Sequence, residues 1–151
     1  MKVCLVSSGS NGSNIEHDSY TTVKAIAAFP PLGLLYLGAT LKERGVEVSV
    51  LDQAGQGLTM DQTVEWVVNE QPDVLGFSTL TTSGTTAAQT SEKVKQKSPN
   101  IKTVMGNHYA TFNAERILKR YPSVDIVVRG EGEQTFSQLS IVSARMMTCL
   151  P

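Results

Sequence analysis

The chain has 151 residues, of which 40% are hydrophobic and 18% charged, and a domain of this length buries roughly 70% of its unfolded surface, enough for a core without disulfides or a structural metal. Thirteen Lys and Arg against fourteen Asp and Glu give a net charge of −1, which leaves no basic excess for binding nucleic acid. The two cysteines, Cys4 and Cys149, are too few for a closed zinc site or for an iron–sulfur cluster held by three thiolates.

The sequence carries no recognisable export or membrane signal. Its first residues lead directly into a short apolar run without the cleavage site of a secretory leader. No apolar stretch approaches the roughly 20 residues that a membrane span needs. We therefore expect a soluble cytoplasmic protein with no membrane partner, in which Cys4 stays reduced.

The first third of the chain predicts a strand, a helix and a second strand. An apolar run at 2–7 is typical of a buried strand, and a polar stretch at 8–18 follows it. Leucines at helical spacing then predict a helix over about 31–44, with Gly45 where a C-terminal cap glycine belongs. Alternate valines at 46–52 predict the second strand.

The middle of the chain repeats this pattern. Thr59 and Gln62 have the spacing of a capping box and begin a second helix, which should end before Pro72. The residues at 73–77 predict a third strand. A loop rich in Thr, Ser and Gly at 78–86 then leads into a third helix.

The last third continues the alternation with a strand, a helix, a strand and a final helix, expected at 101–105, 113–121, 124–128 and from about Glu133 onward. Ile117 and Leu118 should face the core from the fourth helix. Phe136 and Leu139 should do so from the last one.

Five strands alternating with five helices predict a parallel sheet covered on both faces. The expected fold is a flavodoxin-like, Rossmann-like doubly wound α/β domain with three layers and strand order 2-1-3-4-5. This domain should span 1–140. The residues at 141–151 have no clear period and predict an irregular tail or a truncated continuation.

The loops at the carboxyl ends of the predicted strands are the expected ligand site. They lie at 8–14, 78–84, 106–109 and 129–133, and they are rich in hydroxyls, amides and glycine. Apart from His108 they hold no obvious general base or nucleophile pair. This composition favours holding a polar ligand over converting one.

Several classes of flavodoxin-like protein compete at this point. A domain that binds flavin or phosphate would use the loop after the first strand as an amide cradle, although about 15 residues separate that loop from the next helix. An interaction domain without a ligand also stays open. A receiver domain needs acidic residues where Ser7, Ser8 and Ser78 stand, and the dinucleotide motif Gly-x-Gly-x-x-Gly is absent.

Four segments in order resemble the amino-terminal cobalamin (B12)-binding domain of cobalamin-dependent radical SAM enzymes. The first is 30–37, and the second is the helix and strand that follow it and end at Asp52. The third and fourth are 72–78 and 128–133. That family includes the anaerobic magnesium-protoporphyrin ester cyclase and many methyltransferases. The resemblance runs from about Lys2 to Leu139.

The resemblance implies a cofactor site at the strand ends, with the nucleotide tail of cobalamin inserted between sheet and helices and the corrin ring across the strand ends. Ser78 and Leu80 match the family's Ser-x-Leu motif, and Gly106 matches the first member of a glycine pair whose second member is replaced by Asn107. The implied cofactor-binding residues are Ser8, Gly9, Ser78, Thr79, Leu80, Thr81, Gly106, Asn107, His108, Gly130 and Glu131.

The resemblance also implies what the chain lacks. The motif Asp-x-His-x-x-Gly is absent, since Ile15 and Tyr20 stand at its Asp and Gly positions around His17, so cobalamin is expected without a protein histidine on cobalt. The Cys-x3-Cys-x2-Cys motif is absent too. The iron–sulfur cluster and S-adenosylmethionine should therefore belong to a catalytic domain outside this chain, in cis or in trans. This chain should be inert alone, and should carry the cofactor for methyl transfer or redox chemistry.

Overall fold

A computed structural model describes residues 1–9, 29–133, 135–136 and 138. Five strands form one sheet in the order β2-β1-β3-β4-β5, and every neighbouring pair is parallel. The strands are β1 (Lys2–Ser7), β2 (Glu47–Asp52), β3 (Val74–Ser78), β4 (Lys102–Gly106) and β5 (Ile126–Val127). The predicted fold class and strand order are confirmed.

Four helices connect the strands within the described ranges. They are α1 (Leu32–Glu43), α2 (Met60–Glu70), α3 (Gly84–Lys97) and α4 (Asn107–Arg120). The described residues from Gly132 onward are helical again, as expected of the predicted last helix. None of the helices in the described part of the chain is long and apolar enough to cross a membrane.

The sheet is apolar on both faces because successive strand residues point to opposite sides. Cys4 and Val6 of β1 pack in a core cluster with side chains of α2, α3 and α4. Val3 and Leu5 pack in a second cluster with α1 and Phe136. The second cluster, where α1 and Phe136 cover the sheet, is the side on which the site develops.

Two predicted helix ends are confirmed in atomic detail. Thr59 Oγ1 accepts a hydrogen bond from Gln62 N at 3.2 Å, and Gln62 Oε1 accepts one from Thr59 N at 2.9 Å. Together these bonds form the expected capping box. Gly45 follows the end of α1 with φ of +76°, a conformation that glycine adopts without steric cost.

The predicted starts of the third and fourth helices were wrong. The third begins at Gly84, inside the expected loop. The fourth begins at Asn107 rather than at Asn113, because Asn107 adopts φ of +77° and turns the chain from β4 directly into the helix. Asn113 instead marks a kink, with φ of −121°, where its Nδ2 donates a hydrogen bond to Tyr109 O at 2.9 Å.

Two further expectations were wrong near the end of the described chain. Leu118 is 44% exposed while Ile117 is fully buried, since consecutive helix residues point about 100° apart and only Ile117 lies in line with buried Ala110. Strand β5 has two residues instead of five, because the Asp125 carboxylate accepts the Thr103 N–H at 2.7 Å just before it. The predictions for Leu139 and for 141–151 lie outside the described residues, as does His17.

Candidate functional site

A cavity of about 310 Å³ opens at the carboxyl edge of the sheet, between α1, the first turns of α4 and the chain after β5. Its volume lies at the small end of the range of roughly 300–1,000 Å³ typical of ligand pockets. Its lining combines aliphatic, aromatic and glycine residues with a few polar groups: Leu5, Gly33, Leu34, Leu37, Gly76, Phe77, Ser78, Val104, Gly106, Asn107, His108, Thr111, Phe112, Val128, Gly130, Glu131, Gly132, Glu133 and Phe136.

The cavity brings together six of the eleven residues that the sequence suggested. They are Ser78, Gly106, Asn107, His108, Gly130 and Glu131, which come from three separate segments of the chain. The other five, Ser8, Gly9, Thr79, Leu80 and Thr81, do not line it. The ligand contacts suggested for all eleven residues stay predictions.

Two glycines shape the cavity, each in a different way. A Cβ at Gly76 would lie 3.0 Å from Leu5 Cδ2 and 3.0 Å from the Phe136 ring, so the missing side chain lets that ring lie against the strand. A Cβ at Gly106 would meet only Val128, at 4.0 Å. Its absence leaves space where β4 reaches the cavity.

The side chain of Asn107 connects the ends of β3 and β4. Its Nδ2 donates a hydrogen bond to Ser78 Oγ at 2.9 Å, and its Oδ1 accepts the backbone N–H of His108 at 2.7 Å. His108 Nδ1 also lies within hydrogen-bond distance of Oδ1. Asn107 has a left-handed backbone, a conformation that suits glycine and that asparagine is among the residues to tolerate best.

Thr79 fixes the turn behind this pair instead of facing the cavity. It is fully buried, and both its Oγ1 and its N–H donate hydrogen bonds to Gly106 O, at 2.8 and 3.0 Å. Its carbonyl accepts the N–H of Tyr109 at 3.2 Å. Leu80, by contrast, is 46% exposed.

Ser8 and Gly9 lie at the same edge of the sheet, at the end of β1. Ser8 N contacts Ser78 O at 3.5 Å, and Gly9 N donates to Gln53 Oε1 at 3.1 Å. Gln53 is 4% exposed and its Nε2 donates in turn to Leu58 O at 3.3 Å. The hydroxyl oxygen of Ser8 is buried and has no hydrogen-bond partner among the described residues.

Thr111 holds the rim of the cavity, and sequence reasoning missed it. Its Oγ1 donates to Asn107 O at 3.0 Å and accepts the N–H of Gly130 at 3.0 Å. Gly130 itself has φ of +69°, which glycine adopts without strain. Thr111 escaped notice because the predicted fourth helix began after it.

The apolar wall contributed by α1 was also missed as part of the site. Gly33, Leu34 and Leu37 line the cavity from that helix, and the helical spacing of the two leucines had indicated only core packing. Phe112 lies at the cavity with 82% of its surface exposed. The isolated glycine in the third strand, Gly76, is a sequence feature that could have indicated close packing on this face.

Cys4 and Asp125, whose pKa values are shifted, do not line the cavity. Burial raises the pKa of the Cys4 thiol to about 12. Burial alone would raise the pKa of Asp125, but hydrogen bonds from Lys95 and Thr103 bring it below its ordinary value. No group of three or more His, Cys, Asp or Glu among the described residues could hold a metal ion.

Comparison with known proteins places this architecture in a family. A family model described as the B12 binding domain matches residues 21–140. The chain belongs to the B12-binding domain family. The matched region contains most of the cavity lining, including α1, the turn into α4 and the glycines after β5.

This B12-binding domain resembles part of several longer proteins. It is 38% identical over 111 residues to an uncharacterized methyltransferase of Pyrococcus horikoshii, covering 73% of this chain and 24% of the relative. It is 35% identical over 117 residues to the anaerobic magnesium-protoporphyrin IX monomethyl ester cyclase of Rubrivivax gelatinosus, covering 77% of this chain and 21% of the relative. The chain thus spans about a quarter or less of these relatives.

A solved structure has the same fold. The cobalamin-dependent S-adenosylmethionine radical enzyme OxsB, determined with aqua-cobalamin and S-adenosylmethionine bound, superposes with a TM-score of 0.71 at 23% identity. The match covers 99% of this chain and 19% of OxsB. It supports the flavodoxin-like architecture with strand order 2-1-3-4-5.

Proposed function

We propose that this B12-binding domain, taken as residues 1–140, holds cobalamin at the carboxyl edge of its sheet. The observation that carries the proposal is the cavity between α1, the start of α4 and Phe136, whose lining residues other than Leu5 all lie inside the region matched by the family model. It gathers Ser78, Gly106 and Asn107, three of the residues that the resemblance suggests for the nucleotide tail.

The residues around the cavity fit a flat base better than a whole corrinoid. The volume of the cavity is small, its walls are largely aliphatic and aromatic, and Gly106 leaves space where a side chain would lie at its edge. The larger macrocycle would have to lie outside, at the strand ends. Ser8, with its buried unpartnered hydroxyl, and Gly9 are at that edge.

Roles for the remaining residues follow from their positions. Ser78, Gly106, Asn107 and His108 would border the tail, while Gly130 and Glu131 would form the rim. Thr79 would act by holding the turn, since its hydroxyl is bonded to Gly106 O. Leu80 and Thr81 are exposed beside that turn and would contact the part of the cofactor outside the cavity.

Cobalamin would supply methyl-carrier or redox chemistry, and the residues of this chain would bind and orient it. Those that border the cavity include one histidine, His108, and the carboxylates of Glu131 and Glu133, and we assign them no chemical step and no bond to cobalt. The chemistry would require a radical SAM catalytic domain, in cis or in trans, to hold the iron–sulfur cluster and S-adenosylmethionine. The relatives named as a methyltransferase and a cyclase suggest these two reaction classes.

Titration of the purified chain with hydroxocobalamin, followed by visible spectroscopy and gel filtration, tests the proposal. Corrin absorbance should elute with the protein. Ser78→Tyr should weaken binding because the ring would fill space in the cavity. Gln96→Tyr alters an exposed side chain near the end of α3 and should leave the binding of hydroxocobalamin unchanged. Absence of co-elution, or binding of FMN instead, would contradict the proposal.

A further inference from the structure

The orientation of the Asn107 amide is fixed by its neighbours. Its Oδ1 accepts the N–H of His108 at 2.7 Å. A backbone N–H can only donate, so the oxygen must face the start of α4 and the NH₂ group must face Ser78. The contact of 2.9 Å between Asn107 Nδ2 and Ser78 Oγ is therefore a bond in which Asn107 donates and Ser78 accepts.

This bond determines what the Ser78 hydroxyl can still do. A serine hydroxyl has one hydrogen to donate and two lone pairs to accept with. Asn107 occupies a lone pair, so the hydrogen is directed elsewhere, and the hydrogen bonds found among the described residues include none that this hydroxyl donates. Ser78 borders the cavity, so a ligand held there can accept this hydrogen.

We infer that Asn107 is a positioning residue that holds Ser78 as a hydrogen-bond donor toward an acceptor nitrogen of the cofactor's heteroaromatic base. This inference rests on the proposed function, because it names the group in the cavity as the base of the nucleotide tail. It adds a specific role for the one residue that departs from the family's glycine pair.

The chemistry of the cavity explains why an acceptor nitrogen is required. Leu34, Leu37 and Phe136 form apolar walls that offer a bound base no hydrogen bonds. A donor left unsatisfied against an apolar ligand costs free energy, whereas a ring nitrogen in the plane of the base satisfies it. A flat base with such a nitrogen fits both the walls and the hydroxyl.

Three substitutions separate the role of Asn107 from that of the backbone. Asn107→Gly removes the amide and keeps a residue suited to φ of +77°. Asn107→Asp keeps the shape but places an acceptor opposite Ser78, so the hydroxyl hydrogen turns toward the carboxylate and away from the cavity. Ser78→Ala removes the donor itself. Gln96→Ala, on the exposed face of α3, is the control.

The test compares the binding of hydroxocobalamin with that of cobinamide, a corrinoid that lacks the nucleotide tail. We expect Asn107→Asp and Ser78→Ala to weaken cobalamin binding about tenfold, the value of one lost hydrogen bond. Asn107→Gly should weaken it less, because the freed hydroxyl can still donate. The affinity for cobinamide should stay within about twofold of wild type in all variants.

The outcomes distinguish the inference from the function on which it rests. If Asn107→Asp binds cobalamin as tightly as wild type, or if cobinamide binding falls in parallel, Asn107 does not direct the Ser78 hydroxyl and the inference fails alone. If the wild-type chain binds neither corrinoid, the proposed function fails and the inference fails with it.

Discussion

The ring of Tyr109 lies directly over the α carbon of Gly84. A Cβ built on Gly84 would fall 2.2 Å from Tyr109 Cε1 and 2.3 Å from Cδ1, far inside van der Waals contact. Gly84 is the first residue of α3, and Tyr109 lies in the first turn of α4. The contact therefore joins the start of α3, which follows Ser78 in the chain, to the start of α4 at Asn107. Any side chain at position 84 must displace the Tyr109 ring.

We expect Gly84→Ala to lower the free energy of unfolding by about 1–3 kcal/mol, the usual cost of overpacking a core. Tyr109 is half-buried and packs against the core cluster of α2, α3 and α4, so its ring has little room to move. Urea denaturation measures the effect. Gly33→Ala, where a Cβ would meet nothing within 4 Å, should not destabilise the chain.

A double-mutant cycle assigns this cost to the ring. In the Tyr109→Ala background the clash disappears, so Gly84→Ala should then be close to neutral. An equal loss in both backgrounds would show that the cost comes from another source, such as the backbone of Gly84.

Replacements of Asn107 should separate backbone strain from the lost hydrogen bond. Asn107→Gly and Asn107→Ala both remove the bond to Ser78, but only alanine is strained at φ of +77°. Asn107→Ala should therefore be less stable than Asn107→Gly by about 1–2 kcal/mol in urea denaturation. Equal stabilities would show that α4 relaxes to begin at a later residue.

The architecture could be predicted because its pattern is local. Apolar strand runs and helix caps such as Thr59 with Gln62 depend on neighbouring residues, and both are confirmed. The start of α4 could not be placed, since no local pattern shows that Asn107 takes a left-handed conformation to turn the chain directly into a helix.

The cavity was only partly predictable for a related reason. The polar loops at the strand ends pointed to Ser78, Gly106 and His108, which do line it. Its walls come from residues distant in sequence, such as Leu37 and Phe136, whose helical spacing is typical of any core position. Only tertiary packing distinguishes a side chain that closes the core from one that borders a cavity.

Asp125 should make the stability of the chain depend on pH. Its carboxylate accepts hydrogen bonds from Thr103 N at 2.7 Å and lies 2.7 Å from Lys95 Nζ. These contacts lower its pKa in the folded state below the ordinary value of 3.8. The stabilisation is therefore fully present above pH 3.8 and is lost as the pH falls through the folded pKa.

Urea denaturation of wild type and Asp125→Asn between pH 6 and pH 3 checks this expectation. At pH 6 the wild type should be more stable than Asp125→Asn. The difference in their free energies of unfolding should shrink steadily as the pH drops below about 4. A difference that does not change with pH would show that the charge of Asp125 contributes nothing to stability.

A side chain at position 76 should displace the Phe136 ring and so weaken ligand binding. A Cβ at Gly76 would lie 3.0 Å from Leu5 Cδ2 and from two carbons of the Phe136 ring, closer than side chains normally approach. In Gly76→Ala the ring must therefore move away from β3, and Phe136 is part of the cavity wall. We expect about 1–3 kcal/mol of destabilisation together with weaker binding of hydroxocobalamin.

Gly38→Ala is the matched control, since Gly38 faces the same core cluster from α1 without lining the cavity. A Cβ there would lie 3.5 Å from Val48 Cγ1 and Val50 Cγ2, an ordinary contact, and alanine favours a helix by up to about 1 kcal/mol over glycine. This variant should be at least as stable as wild type and bind hydroxocobalamin equally well. If Gly76→Ala and Gly38→Ala bind alike, the position of Phe136 does not control the cavity.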